Sequence, residues 1–272
     1  MKFTVAVAAL IAVTSGSLLA QEPAAGKFQS QSVTFDLGGA IAFTGTSSFN
    51  KEQPALIVAV SNKRLAATLS DFVDRRRAIE TLVNDDSTAV VYIEFTPQGV
   101  YRGLSYYFGP GNGCGFCTSE VASTVKLVNG KLTGTLKGTE KSRPFSMTID
   151  VPVMNDDHGA ALPADGGAPG KAYLAYHAAL LKHDPTALRP TLTAGKMTVW
   201  DRAKKDGELA DYVNYLLDKH PLTSVKITKA WAKADVAVLL IQGDGPAGAV
   251  SGEVLLVRES GAWVVDSEVL VK

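Results

Sequence analysis

The chain has 272 residues, 46% of them hydrophobic, which is enough to build a sizeable core in one large domain or two modest ones. Its 27 Lys and Arg balance its 27 Asp and Glu. That balance excludes the electrostatic footprint of a nucleic-acid binder and a polybasic membrane address.

Residues 1–20 read as a secretory leader. Lys2 supplies a short positive start, residues 3–13 are apolar apart from Thr4, residues 14–17 are polar or small, and Leu18-Leu19-Ala20 offers the cleavage point. The run is too short for a bilayer span, which takes about 20 apolar residues. No Cys follows the cut to carry a lipid, and the chain contains no Asn-x-Ser/Thr sequon. The expectation is a cleaved, soluble protein, periplasmic or secreted, with no membrane span in its mature part.

Residues 28–154 are predicted as a β-rich domain. Segments 33–37, 40–43 and 56–60 are β-branched or apolar runs between polar or Gly-containing stretches. In 88–95 the residues Val91, Ile93 and Phe95 alternate with Val90, Tyr92 and Glu94, and Pro97-Gln98-Gly99 turns the chain into a strand over 100–108. Asn129-Gly130 between 121–128 and 131–138 is a two-residue hairpin turn that sets Leu127 opposite Leu132. A last strand follows at 145–151. One helix interrupts the strands, with Ser70 or Asp71 as cap and Leu69, Phe72, Ile79 and Val83 as its apolar stripe. Its Arg75-Arg76-Arg77, beside Asp71, Asp74 and Glu80, reads as a solvated face rather than an anion site.

Residues 155–169 are rich in Gly, Pro, Ala and Asp and are read as a linker. Residues 170–272 then form a second domain. A helix over 170–183 places Tyr173, Tyr176, His177 and Leu180 on one face. Asp184-Pro185 caps a short second helix that Pro190 limits. A third helix over 206–219, with Leu209, Tyr212, Val213, Leu216 and Leu217 inward, ends at His220-Pro221. Strands follow at 224–231, 236–242, 250–258 and 262–271, and strict alternation sets Trp263, Val265 and Val269 on one face of the last.

Helices first and a curved antiparallel sheet afterwards, with the run 172–188 and the closing Gly261-Ala-Trp-Val-Val265, resemble the nuclear-transport-factor-like superfamily, the α+β cone shared with ketosteroid isomerase. The likeness covers 169–272. Residues 28–154 resemble uncharacterised bacterial exported proteins, and no function comes with that likeness. The fold class expected is therefore α+β: an N-terminal antiparallel β-sandwich or open barrel with one helix, then a cone of helices on a curved sheet. The resemblance implies a pocket inside the cone, lined by Tyr173, Tyr176, His177, Tyr212, Trp231 and Trp263, with His177 as the candidate acid/base. Family enzymes also place carboxylates there, but none of Asp201, Asp211, Asp235, Asp244 and Asp266 aligns with a catalytic position. The resemblance further implies a homodimer through the open face of the cone sheet, unless the first domain covers that face.

Cys114-Gly-Phe-Cys117 has the spacing of a redox dithiol, but no βαβ pattern precedes it and a Gly-rich stretch does. In an oxidising compartment the pair is expected to form a structural disulfide closing a short loop, worth about 2 kcal/mol. Two Cys are half a zinc site, and His158 lies in the linker, so no metal is expected. No nucleophile elbow, phosphate-cradling loop or dinucleotide fingerprint is present, and no cofactor is implied. The expected function is non-catalytic binding of a small apolar ligand, a peptide or a partner subunit through the cone. The alternatives are an isomerase- or cyclase-type enzyme using His177 and a thiol–disulfide protein using Cys114 and Cys117.

Overall fold

The computed structural model describes residues 25–29, 34–50, 53–65, 69, 71–82, 88–108, 113–117, 120–139 and 145–271. The expected leader over 1–20, Ser70, Val83 and the side chains of Cys114 and Cys117 lie outside the described residues.

In chain order the strands begin with β1 (Ala25–Gln29), β2 (Thr34–Asp36), β3 (Gly39–Thr46) and β4 (Pro54–Ser61). Helix α1 (Arg75–Leu82) precedes β5 (Ala89–Phe95), β6 (Tyr101–Phe108) and β7 (Gly113–Cys117). Next come β8 (Val121–Ser123), β9 (Lys126–Val128), β10 (Lys131–Gly138) and β11 (Phe145–Pro152). The two-residue β12 (Ala160–Ala161) leads to α2 (Gly167–Leu181), α3 (Pro185–Leu188), α4 (Ala194–Asp206) and α5 (Leu209–Lys219). The chain ends with β13 (Lys226–Lys233), β14 (Val236–Gly245), β15 (Gly248–Glu259) and β16 (Ala262–Val271). Among the described residues this is an α+β protein with three antiparallel sheets, none closed into a barrel.

The first sheet runs β2-β1-β11-β10-β8 with β9 also on β10, the second runs β3 to β7 in order, and the third runs β12 to β16 in order. In β11 Phe145, Met147, Ile149 and Val151 are buried and the residues between them exposed, so the first sheet has one wet face. All seven residues of β5 are buried, because the second sheet is covered on both faces. Val91, Ile93 and Phe95 meet the first sheet, together with Leu132, Leu136 and Met147. Val90 and Tyr92 face the other way, into a core shared with Phe72 and Ile79 around α1 and with Val238, Leu255 and Val269 of the third sheet. The apolar face of the third sheet is thus covered by the N-terminal part of the chain. Its opposite face carries the helices, with Tyr173, Leu180, Trp200 and Val213 against Leu239, Val254, Leu256 and Val265.

Local chemistry explains most of the boundaries. Asn129 and Gly130 adopt φ 50 and 74, and Leu132 stands opposite Leu127, as the hairpin reading expects. The Asp184 side chain accepts the Thr186 and Ala187 N–H groups at 3.0 Å, as its capping role expects. Other expectations need correction. The α1 cap is Asp74, which accepts the Arg77 N–H at 3.0 Å, so the helix starts later than the apolar stripe suggested. Helix α4 was not anticipated: Thr193 caps it, Gly207 at φ 81 ends it, and it buries only Trp200 and Ala203. Residues 155–169 are tied down as well. Asp157 pairs with Lys233 at 2.9 Å and Leu162 donates to the Ala230 carbonyl. The 113–117 stretch, expected as a short closed loop, pairs as a strand with β6.

Candidate functional site

A polar constellation in the C-terminal part joins α2, the end of α5 and β16. Strict alternation from Val265 points Ser267 at the helices and Glu268 away. The ladder instead pairs Leu256 with Val265 and Leu255 with Ser267, leaving Asp266 as an extra residue. This bulge turns Glu268, opposite Val254, to the helix-covered side. There Glu268 Oε1 accepts from the Tyr173 hydroxyl at 2.9 Å, and Oε2 accepts from the Tyr176 hydroxyl at 3.2 Å. His220 Nδ1 stands 2.8 Å from Glu268 Oε1, and His220 Nε2 stands 2.7 Å from His177 Nδ1. With Glu268 ionised, His220 donates through Nδ1 and accepts at Nε2, so His177 donates through Nδ1 and its Nε2 keeps a lone pair.

The network is buried: Tyr173, Tyr176, His177 and His220 are 0%, 2%, 8% and 1% exposed. Burial first, and then the Glu268 carboxylate, push both phenols far above their ordinary value, so they remain donors. Burial and then His220 hold His177 below its ordinary value, which keeps it neutral. Lys196 donates to the Val265 carbonyl at 3.2 Å; burial lowers its ammonium pKa, against the pull of Glu268 and Asp266.

Of the six expected pocket residues, Tyr173, Tyr176 and His177 therefore meet in one network. Tyr212 lies nearby, edge-on to Trp200. Trp263 sits at the sheet margin beneath the Arg258 guanidinium, 4.6 Å from its ring centroid. Trp231 packs into the opposite core and against His158, on the far side of the sheet. Sequence reasoning missed His220, which it treated as a helix terminator, and Glu268, which only the bulge turns inward. The interior polar groups bond one another, and His177, Tyr173 and Tyr176 line none of three clefts of about 670, 550 and 250 Å³ among the described residues.

The cleft of about 670 Å³ lies on the N-terminal part, between the end of β3 and α1. Its walls are the run Thr44–Ser48 on one side and Val73–Arg76 with Glu80 on the other, over Phe43, Ile57 and Tyr107. Buried polar groups fix both walls. Glu94, 0% exposed, accepts from the Ser47 hydroxyl at 2.7 Å and the Ser48 N–H at 2.9 Å, and pairs with Arg76 at 3.1 Å. Arg76 also bonds Glu80 at 3.1 Å and the Ser48 hydroxyl, and its guanidinium lies 4.6 Å above the Tyr92 ring. Arg75, 2% exposed, pairs with Asp156 and donates to the Asn155 carbonyl at 2.9 Å. Asp156 also accepts from Thr44; burial opposes its ionised form, but these two partners hold its carboxyl below the ordinary value. From the third sheet, buried Glu253 accepts the Val73 and Asp74 N–H groups, both at 2.8 Å. The solvated-face reading of the arginines is thus corrected: Arg75 and Arg76 are structural ion-pair partners.

Among the described residues no group of three or more His, Cys, Asp or Glu is arranged to hold a metal ion. The backbone places Cys114 opposite Tyr106 and Cys117 opposite Leu104 on the edge strand β7. No helix among the described residues is long and apolar enough to cross a membrane. Comparison with known protein families, with curated proteins and with solved structures returns no match.

Proposed function

We propose that this chain is an exported, non-catalytic binding protein whose ligand sits in the cleft between β3 and α1. In this reading residues 28–154 are a β-sandwich and residues 170–272 are a cone of the nuclear-transport-factor-like kind. The observation that carries it is the fixing of segment Val73–Arg76. The second sheet through Glu94, residues 155–156, and the third sheet through Glu253 all converge on this one wall of the cleft. Buried charged groups are costly to place, and their concentration behind one open cleft of ligand size supports a pre-organised site. The cone then serves as a buttress, its own polar groups engaged with one another.

A second reading, acid–base chemistry at His177, is favoured by the Glu268–His220–His177 chain, which leaves His177 Nε2 as a base. One experiment tests both. The intact protein is screened by thermal shift against a chemically diverse small-molecule library, beside Thr46→Trp, which fills the cleft from its exposed rim, and His177→Gln. Ligands that stabilise the parent and His177→Gln but not Thr46→Trp are the expected result. Ligands lost only in His177→Gln favour the second reading, and a library without a cleft-dependent ligand overturns the first.

A further inference from the structure

The charges around the cleft restrict what it accepts. Its charged lining side chains are Arg75, Arg76, Asp74 and Glu80, two of each sign. Arg75 is held by Asp156, and Arg76 by Glu94 and Glu80. Asp74 caps α1 and lies 3.8 Å from the Arg77 guanidinium. An anionic ligand would have to take an arginine from a carboxylate already bonded to it, and a cationic ligand would face the converse exchange. Neither gains a net ion pair, and both lose hydration on entry. An apolar ligand would strip water from this charged and hydroxyl-bearing rim and return no hydrogen bond to it.

The remaining surface suits a neutral, polar ring. Thr44, Thr46 and Ser48 stand along one wall, the Thr44 hydroxyl bonded to Asp156 and the Ser48 hydroxyl accepting from Arg76. Glycine at position 45 keeps that wall low, because a Cβ there would come within 2.9 Å of Ile57 Cδ1. Tyr107, set edge-on to Tyr92 with ring centroids 5.8 Å apart, presents a half-buried aromatic ring. Arg76 donates to Glu80 Oε1 at 3.1 Å and also to Ser48, Glu94 and Ser105, which leaves its fifth guanidinium N–H and Glu80 Oε2 to a ligand. Two neighbouring hydroxyls of a sugar ring match that pair, one accepting from the guanidinium and one donating to the carboxylate. The less polar face of the same ring matches an aromatic surface.

We infer that the cleft binds a neutral sugar unit, its ring face on Tyr107 and two adjacent hydroxyls on the Arg76–Glu80 pair, an inference that rests on the binding reading above. The test is titration of the isotope-labelled intact protein with cellotriose, maltotriose, mannotriose and chitotriose. Glucuronate and inorganic phosphate serve as anionic probes, and cyclohexanol and indole as apolar ones. Expected are shifts at Tyr107 and Thr46 with at least one neutral trisaccharide, weakened about tenfold by Tyr107→Ala and far less by Tyr107→Phe. Glu80→Gln, at a helix surface position, weakens binding without altering the fold, which keeps the test valid where Tyr107→Ala does not fold. Shifts at Tyr107 and Thr46 with only the anionic or apolar probes overturn the sugar assignment and leave the cleft as a binding site. A trisaccharide that shifts residues elsewhere also overturns the sugar assignment. The absence of cleft shifts with every probe overturns both readings.

Discussion

At the residue scale, His177 of the buried network and His158 on the far side of the third sheet make stability depend on pH. Burial and then His220 hold His177 below its ordinary value of 6.5, and burial and then Arg75 shift His158 in the same direction. A histidine that takes up a proton less readily when folded leaves the unfolded chain as the better proton acceptor below that value. Stability is then complete above 6.5 and is lost as the pH falls towards the folded-state value. Glu253 works with the opposite sign: burial raises its carboxyl, so the folded protein gains relative stability as the pH falls through that raised value. Urea denaturation at pH steps from about 7.5 to 5.5 should show a falling free energy, with a limiting slope of about 1.4 kcal/mol per pH unit for each histidine. In His177→Gln the fall should be shallower, with the His158 contribution remaining. An unchanged slope would show that His177 titrates alike in both states.

At the element scale, β16 shows how one extra residue moves chemistry from one face to the other. A single deletion in a strand ordinarily sends the rest of its side chains to the wrong side. Deleting Asp266 removes the unpaired residue while Val265 stays opposite Leu256 and Glu268 opposite Val254. We expect that deletion to cost at most about 2 kcal/mol and to keep Glu268 with its tyrosines. Deleting Val264, which has a ladder partner in Val257, should unfold the protein, as circular dichroism and thermal melts would show. Equal damage from both deletions would mean that the bulge does not set the face of Glu268. The same element marks where sequence reading stops. Asn129-Gly130, Asp184-Pro185 and the alternation of β11 were legible because each signal lies within a few residues. Val265 and Val269 were read onto one face because a bulge leaves no mark on composition. Helix α4 carried its stop and start signals in Thr193 and Gly207, but two buried residues make too thin a stripe to reveal it. The partners that fix residues 73–76 could not be read, since Glu94, Asp156 and Glu253 reach them from three separate parts of the chain.

At the scale of the whole molecule, the second sheet is a central layer with the first sheet on one face and α1 with the third sheet on the other. The third sheet brings Val238, Leu255 and Val269 to that contact, so its apolar face is met within the same chain. A carboxylate among these residues needs a reason, and Glu253, 6% exposed, has one in the Val73 and Asp74 N–H groups it accepts. These residues also wall the cleft, so the contact between the two parts of the chain and the proposed binding site share one element. Glu253→Ala would leave two N–H groups in the contact without their acceptor, at a cost of about 2–3 kcal/mol in urea denaturation. Glu253→Gln keeps one accepting oxygen and should fall between the parent and the alanine variant. Hydrogen exchange gives the decisive reading. The Val73 and Asp74 amides should exchange faster in Glu253→Ala, while the β10–β11 ladder on the far side of the molecule keeps its protection relative to global unfolding. Unchanged exchange at Val73 and Asp74 would show that Glu253 does not hold this wall. Faster exchange throughout the β10–β11 ladder and the wall would show that the two parts of the chain unfold as one unit, with Glu253 stabilising the whole rather than the cleft.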